Sequence, residues 1–545
     1  TPEYPGGREI HQSDTRVSPW RIREPGKYPV GTSEQRAARD RVSILEDTNG
    51  DGVMDKKTVF ADGLELPTSL VFYKDGVIVS QAPETLWIRD TDGDGKADKV
   101  EVLFKGWGTR DTHAVTSNLR WGFDGWIYGA VGYSAGDITS GDGSKKFGKI
   151  TAGLYRFRPD GSMLEQVAAG SCNTWGCEVA PDGEIFYSTA TCGEPMLHVV
   201  LPEKIVSKAG VPGVRASKPI ISENKVYPAR FENRQPYLQI DWVGAFTAAA
   251  GATIYDGGAW PDKWQGPPWA FFVHEPTVWL THQEFVSQQG VSYQGKREPG
   301  REQSHFIAST DYWFKPIHSR VGPDGALYLV DFYNQIAVHN DTRGPAHGAH
   351  NAATRPDRDH HFTRLWRIQH KQKLALPAFD LNVKNPARLV EMLDHPNGWV
   401  RATANRLLSE GAGKSVVEKL SAEAAQGRTA YGRMLALWTL ANLGEIGEDQ
   451  LESSIRDQDP VVRKNALWLA AGLDNSGRQP ELDMVRALFA DSDQRVRIAA
   501  LVAGTTLTPN SDLATALVEA WPSFQNPYLE AAALAITAKD PLLFL

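Results

Sequence analysis

Residues 111–133 read DTHAVTSNLRWGFDGWIYGAVGY. Asp111 and His113 arrive on a polar turn, an alternating run follows, FDG reverses the chain, and WIYGAVGY returns. Asp and Gly at such a reversal supply a local hydrogen bond and a permissive backbone. The stretch predicts a β-hairpin that carries a histidine and a carboxylate on its leading loop. Further out, the same reversal recurs at Asp75-Gly76, Asp160-Gly161, Asp182-Gly183 and Asp324-Gly325, each between short apolar runs. Intervals of 49 and 58 residues separate Asp75, Asp124 and Asp182, which fits four-stranded blades with insertions. The expectation is a six-bladed β-propeller over residues 41–372, closing near LWRIQH, after an irregular leader at 1–40. In such a ring His113 lies near the central axis. The plainer alternative is a surface-loop histidine beside an ordinary hairpin.

Beyond the sheet-like region the period changes. HPNGWVRATANRLL, DPVVRKNALWLAAGL and SDQRVRIAALVAG are Ala- and Leu-rich, with Arg401, Arg433, Arg463 and Arg497 spaced 32, 30 and 34 apart. That register predicts an α-solenoid of HEAT-like repeats over 373–545, each helix pair burying its apolar face on its neighbours. The repeated Arg reads as a structural tie to the preceding Asp.

The chain has 545 residues and a net charge of -8, with no basic block, so nucleic acid is an unsuited partner. No run reaches the length of a membrane span. The start lacks the basic and apolar regions of a signal peptide, and the reading is a mature, exported chain, periplasmic or extracellular. The apolar ending PLLFL reads as a truncated or processed product. The three cysteines, Cys172, Cys177 and Cys192, allow one disulfide with one free thiol, or three buried thiols. No CxxCH occurs, so no c-type haem is attached here.

Two acidic loops carry the clearest local chemistry. Asp47, Asn49, Asp51 and Asp55 alternate around Gly52; Asp90, Asp92, Asp94 and Asp98 do so around Gly95, with Glu101 in the twelfth position. Hard oxygens at positions 1, 3, 5 and 9 with Gly at 6 suit calcium, and Val53 and Lys96 add backbone carbonyls. Because the flanks are strands, structural calcium is expected. A second set is scattered over loops: His113, Asp111, Arg120, Asn173, His274, Lys315, Arg320 and Tyr333. Histidine beside a carboxylate can take a proton from a hydroxyl near neutral pH, and Lys or Arg can hold an anion. The histidine-rich run at 339–361 matches no clean ligand spacing and reads as a surface loop.

TNGDGVMDKKTVFADGLELPTSL, TDGDGKADKVEVLF, GLYRFRPDGS, NTWG, TAAAGATIYDGGAWPDKWQG and VGPDGALYLVDFYN, with the opening stretch, resemble the propeller of large exported proteins of planctomycetes and verrucomicrobia. Those are labelled membrane-bound dehydrogenases or haem-binding CxxCH proteins. The HEAT-like part resembles theirs too; a cytochrome c domain commonly follows in that family, and with no CxxCH in this sequence the expectation is that this part is missing or cut away. The propeller is similar, more distantly, to quinoprotein sugar dehydrogenases that use pyrroloquinoline quinone.

The resemblance implies a sugar or polyol oxidoreductase in which His113 is the base and Asp111 orients it. Arg120 and Tyr333 complete the candidate catalytic set, and Lys315, Arg320, Asn173 and His274 are the candidates to hold the quinone. A c-type cytochrome is the implied electron acceptor, with a protein partner on the solenoid. The competing readings are a non-redox carbohydrate lyase or hydrolase, and a non-catalytic calcium-stabilised scaffold that binds glycan or protein.

Overall fold

The computed structural model describes residues 40–109, 113–229, 244–334, 362–472 and 480–544. Among them the chain forms six antiparallel sheets and then ten α-helices, with one further short helix, Glu203–Ala209, among the sheets.

The reversals behave as local chemistry requires. Asp124, Asp160, Asp182 and Asp324 each accept a hydrogen bond from the backbone N–H two residues on. The glycines that follow take φ of 73°, 74°, 86° and 71°, the left-handed region open to glycine. Gly76 differs: its need is space, since a Cβ there would lie 2.0 Å from the Ile88 carbonyl oxygen.

A two-stranded sheet, Asp40–Glu46 with Lys56–Leu64, precedes the others. Each of the next four sheets has a four-stranded meander, interrupted in the third sheet between Ile127–Val131 and Gly153–Phe157, and the last, Pro316–Val321, Leu327–Asp331 and Arg364–Ile368, has three strands. One departure was not legible from the pattern of reversals. The hairpin Gly136–Ser140/Lys146–Ile150 leaves the third sheet and pairs with the outer strand Lys99–Lys105 of the second.

The first strands of the five larger sheets are Ser69–Tyr73, Thr116–Trp121, Asn173–Val179, Ala250–Ile254 and Pro316–Val321. Their contacts advance in step. Thr68 meets Thr116 and Trp121 meets Phe72; His113 meets Asn173 and Arg120 meets Glu178. Gly176 abuts Gly251, Gly251 abuts His318, and Thr253 bonds Ser319. Neighbouring first strands therefore run the same way, and all begin at one end of a propeller-like array. Arg320 on the last of them donates to the Leu119 carbonyl on the second at 3.0 Å.

The helices stand in two rows. Gly398–Ser409, Ala430–Leu443, Pro460–Ala470, Gln494–Gly504 and Pro527–Thr537 pack successively, with shorter helices between them on the outside. Asn397, Thr429, Asp459, Asp493 and Asn526 cap the five inner helices with side-chain acceptors, satisfying N–H groups that have no intrahelical partner. The repeated arginines are structural, but their carboxylates come from the following turn. Arg433 pairs with Asp457 at 2.8 Å and Arg463 with Asp491 at 3.0 Å, while the preceding loop supplies backbone carbonyls. Arg401 reaches instead to Asp256 among the sheets.

The helices lie against the end of the sheets where the chain reverses. Asn397 Nδ2 donates to the Gly322 carbonyl at 3.0 Å, Asn442 to Phe123 at 3.0 Å and Asn465 to Asp182 at 3.0 Å. Lys464 Nζ pairs with Glu184 at 2.6 Å, and Arg495 with Asp182 at 2.6 Å. Burial opposes the charge on Glu184, yet Lys464 and then His198 hold its pKa well below the usual carboxylate range. Val200, Leu201 and Ile205 from the sheet region enter the helical core with Leu435, Val462 and Leu501. The two halves share one interior there.

Candidate functional site

With the reversal end covered by helices, the end where the first strands begin is left for chemistry. His113 stands three residues before the Thr116–Trp121 strand. Its backbone carbonyl accepts from Asn173 Nδ2 at 3.0 Å and from the Trp175 indole N–H, both on the next sheet. Asp111, expected to orient His113, and the histidine-rich run lie outside the described residues.

The remaining expected residues do not gather around His113. Asn173 spends its amide on the His113 carbonyl and is 4% exposed. Its Oδ1 fills the space beside Gly132, where a Cβ would come within 2.0 Å. That makes it a clamp between sheets. His274 is 0% exposed, with Nδ1 against Thr281 Oγ1 and Nε2 against Ser319 Oγ, each at 3.0 Å. Burial, and next His318, push its pKa down to about 3, so it is a neutral packing group with no face for a cofactor.

Arg120, Glu178 and His318 come together further along the first strands, and Arg320 donates to the neighbouring Leu119 carbonyl. Arg120 pairs with Glu178, whose carboxyl is raised by burial and pulled back by Arg120. His318 is held down to about 4 by burial and then by Arg120. Glu178 was not anticipated; its signal was a lone acid inside the apolar run CEVA.

Lys315 and Tyr333 lie at the open end of the last sheet. Lys315 is 3% exposed, its ammonium bonded to the Tyr312 carbonyl and 5.4 Å from the Trp279 ring. Burial lowers its pKa to about 7, against the pull of Asp311 and Asp331. Tyr333 has φ 36°, and the Arg364 guanidinium stacks on its ring at 3.4 Å. Arg364 is a partner that sequence could not supply, since it meets Asp331 from 33 residues away.

A tricarboxylated quinone needs several cations facing one cavity. Lys315, Arg320, Asn173 and His274 instead bond inward to Tyr312, Leu119, His113, Thr281 and Ser319. The expected quinone-holding set therefore does not fit that group.

The acidic loops share one geometry. Gly50 and Gly93 N–H donate to Asp47 and Asp90 at 2.7 Å, and Gly52 and Gly95 to the same carboxylates at 2.8 and 2.9 Å. Val53 and Lys96 N–H donate to Asp51 and Asp94 at 2.7 Å, and Asn49 Oδ1 accepts from Asp51. Asp55 and Asp98 accept from Thr48 and Thr91; those bonds hold both carboxyls below their usual range. Asp90, Asp92 and Asp94 bring ligand oxygens within 4.8 Å of one another, a donor set that fits a hard cation. Glu101 is a correction. It sits in the strand Lys99–Lys105 and pairs with Lys99 at 2.7 Å and Arg89 at 3.0 Å, so it does not turn into the loop.

Cys172 and Cys192 form a disulfide and Cys177 is a buried free thiol, the first of the two arrangements open from sequence. Among the described residues no helix is long and apolar enough to cross a membrane.

Residues 20–372 match the protein family described as a domain of unknown function, DUF7133. The chain belongs to this family. No curated protein matches it. Among solved structures, a luciferin-regenerating enzyme is similar at 10% identity over 58% of this chain and 82% of its own, with a TM-score of 0.33. A glucose dehydrogenase is similar at 13% identity over 54% of this chain and 87% of its own, with a TM-score of 0.32. An aldose sugar dehydrogenase from Streptomyces coelicolor, in its PQQ-bound form, is 12% identical over 55% and 94%, with a TM-score of 0.22. These overlaps are loose, and the DUF7133 region is described by its own residues.

Proposed function

We propose that the sheets form a six-bladed β-propeller with a HEAT-like solenoid on its base, and that the open end is the working face of an exported sugar or polyol oxidoreductase. The anchoring of His113 carries this reading: two side chains of the neighbouring sheet grip its carbonyl. In this role His113 takes the proton of a substrate hydroxyl, and Asp111 orients its ring. Arg120, expected in the catalytic set, is paired with Glu178 further along the strand and takes no part in this step. The carbinol carbon gives up its hydride, and with it two electrons, to a diffusible two-electron acceptor of the kind the assay dye represents, which is reduced in the same step. No step is assigned to a quinone, given the poor fit above, and a c-type cytochrome is the next acceptor that the family resemblance implies.

Calcium in the loops at Asp47–Asp55 and Asp90–Asp98 would stiffen the first two sheets beside the reversals. The Cys172–Cys192 bond supports export, because disulfides persist in oxidising compartments. The outer row of helices is left to a protein partner.

The test is dye-coupled oxidation of a sugar and polyol panel by purified chain with Ca²⁺, with and without added pyrroloquinoline quinone. His113→Gln should lower turnover by about 10²- to 10⁴-fold and move the melting temperature by only about one or two degrees. Full activity in that variant removes His113 from the chemistry. A second reading, a calcium-stabilised glycan-binding scaffold, is favoured by the inward bonding of Asn173 and Lys315. Sugar binding without dye reduction or glycan cleavage supports it; cleavage alone supports a lyase or hydrolase.

A further inference from the structure

We propose that Asp311, Trp313, Tyr333 and Arg364, at the open end of the last sheet, form a docking edge for a neutral pyranose or polyol. This rests on the carbohydrate reading of that end and names the place and chemistry of recognition.

The edge is assembled by Asp331, which is 0% exposed. Its Oδ1 accepts from the N–H groups of Lys315 at 2.8 Å and Tyr333 at 3.0 Å. Its Oδ2 accepts from Arg364 Nε at 2.7 Å and the Trp366 indole at 3.1 Å. One buried carboxylate thus fixes groups from three separated segments. Tyr333 is held at φ 36°, a strained conformation for an aromatic residue that persists only where its surroundings impose it.

What faces outward suits a hydroxylated ring. Arg364 Nη2 and Asp311 Oδ2 lie 3.5 Å apart, with side chains 32% and 42% exposed. The pair is too long to be a good hydrogen bond, and it presents a donor beside an acceptor. Neighbouring hydroxyls of a sugar can accept from one and donate to the other. The Trp313 ring lies 5.5 Å from Tyr333, and Arg364 sits between Tyr333 at 3.4 Å and Trp366 at 4.9 Å. The partly exposed Trp313 indole offers a flat apolar surface for the C–H face of a pyranose. Two carboxylates, Asp331 and Asp311, stand beside Arg364 and Lys315, so the edge has no surplus positive charge to draw an anion.

The experiment titrates the full chain with glucose, maltose and sorbitol, read by calorimetry and tryptophan fluorescence, alongside the dye assay. Saturable binding by the unmodified chain is expected, weakened about tenfold in Asp311→Asn and in Trp313→Ala. Asp311 lies at the surface, so its variant should fold with an unchanged circular dichroism spectrum. The edge is overturned if all three probes fail to bind the unmodified chain, or if both folded variants bind with unaltered affinity. Those results leave the oxidoreductase reading standing wherever dye reduction persists. Binding that the variants weaken, without any dye reduction, supports the edge and removes the redox role.

Discussion

The same first strands end in two different ways. At the reversal end, polar groups are buried and paired between sheet and helix: Asp182 with Arg495, Glu184 with Lys464, and the carbonyls of Gly322 and Phe123 with Asn397 and Asn442. At the beginning end the bonds stay among the sheets, as with the His113 carbonyl on Asn173 and Trp175, and groups such as Asp311 remain half exposed. One end is therefore committed to cohesion. The other keeps reachable polar groups in fixed positions, which is what recognition requires.

The sharpest way to break this contrast is Lys464→Met. The change leaves Asp182 and Glu184 buried with one cation fewer, and removing one member of such a network costs about 3–5 kcal/mol. A large fall in melting temperature by calorimetry is expected; a small one would mean water reaches the interface. The pH dependence follows the same network. Because Glu184 is held below its unfolded value near 4.5, its contribution is complete above that value. It disappears as pH falls through the lower folded pKa. In Lys464→Met the folded pKa of Glu184 should rise toward its unfolded value, so the acid-side loss should shrink and be complete at higher pH.

Next in size is the cross-link at the open end. Cys172 and Cys192 close a separation of 20 residues, and the double Ser variant should lose about 3 kcal/mol by the chain-entropy estimate. An equal loss on reduction of the native protein would confirm that the bond, and not the substituted side chains, is responsible. Chelation comes third. EGTA should lower the melting temperature if the acidic loops bind calcium only when folded, by about 2.7 kcal/mol at a hundredfold excess of ion over Kd. Asp92→Asn should reduce that response, and an unchanged melting curve would discount calcium there. The smallest effect is expected for Trp175→Phe, which removes one bond to the His113 carbonyl and costs about 1 kcal/mol. If His113 works in catalysis, turnover should fall more than stability does.

Sequence made the local chemistry legible and left distant pairings hidden. The Asp-Gly reversals were readable because Asp124, Asp160, Asp182 and Asp324 each satisfy an N–H only two residues away. The helix register was readable because its caps and arginines repeat. Glu101 was misread as a loop ligand because spacing does not reveal that Lys99 and Arg89 compete for its carboxylate. His274 and Asn173 have the right chemistry for a site, yet their partners lie on other strands. Asp331 and Arg364 stand 33 residues apart, and only the sheet brings them together. The site is therefore harder to read than the fold, since it is made almost wholly of such meetings.

The hairpin Gly136–Ser140/Lys146–Ile150, lent by the third sheet to the edge of the second, bears on how the chain is made. During synthesis Phe104 and Lys105 at the end of the Lys99–Lys105 strand emerge with a bare flank, and their partners Ser140 and Thr139 are released only later. Until then that flank is a template for pairing with other nascent chains. A recombination break placed between these sheets would recreate that hazard permanently, so the pair should be inherited, exchanged or engineered together.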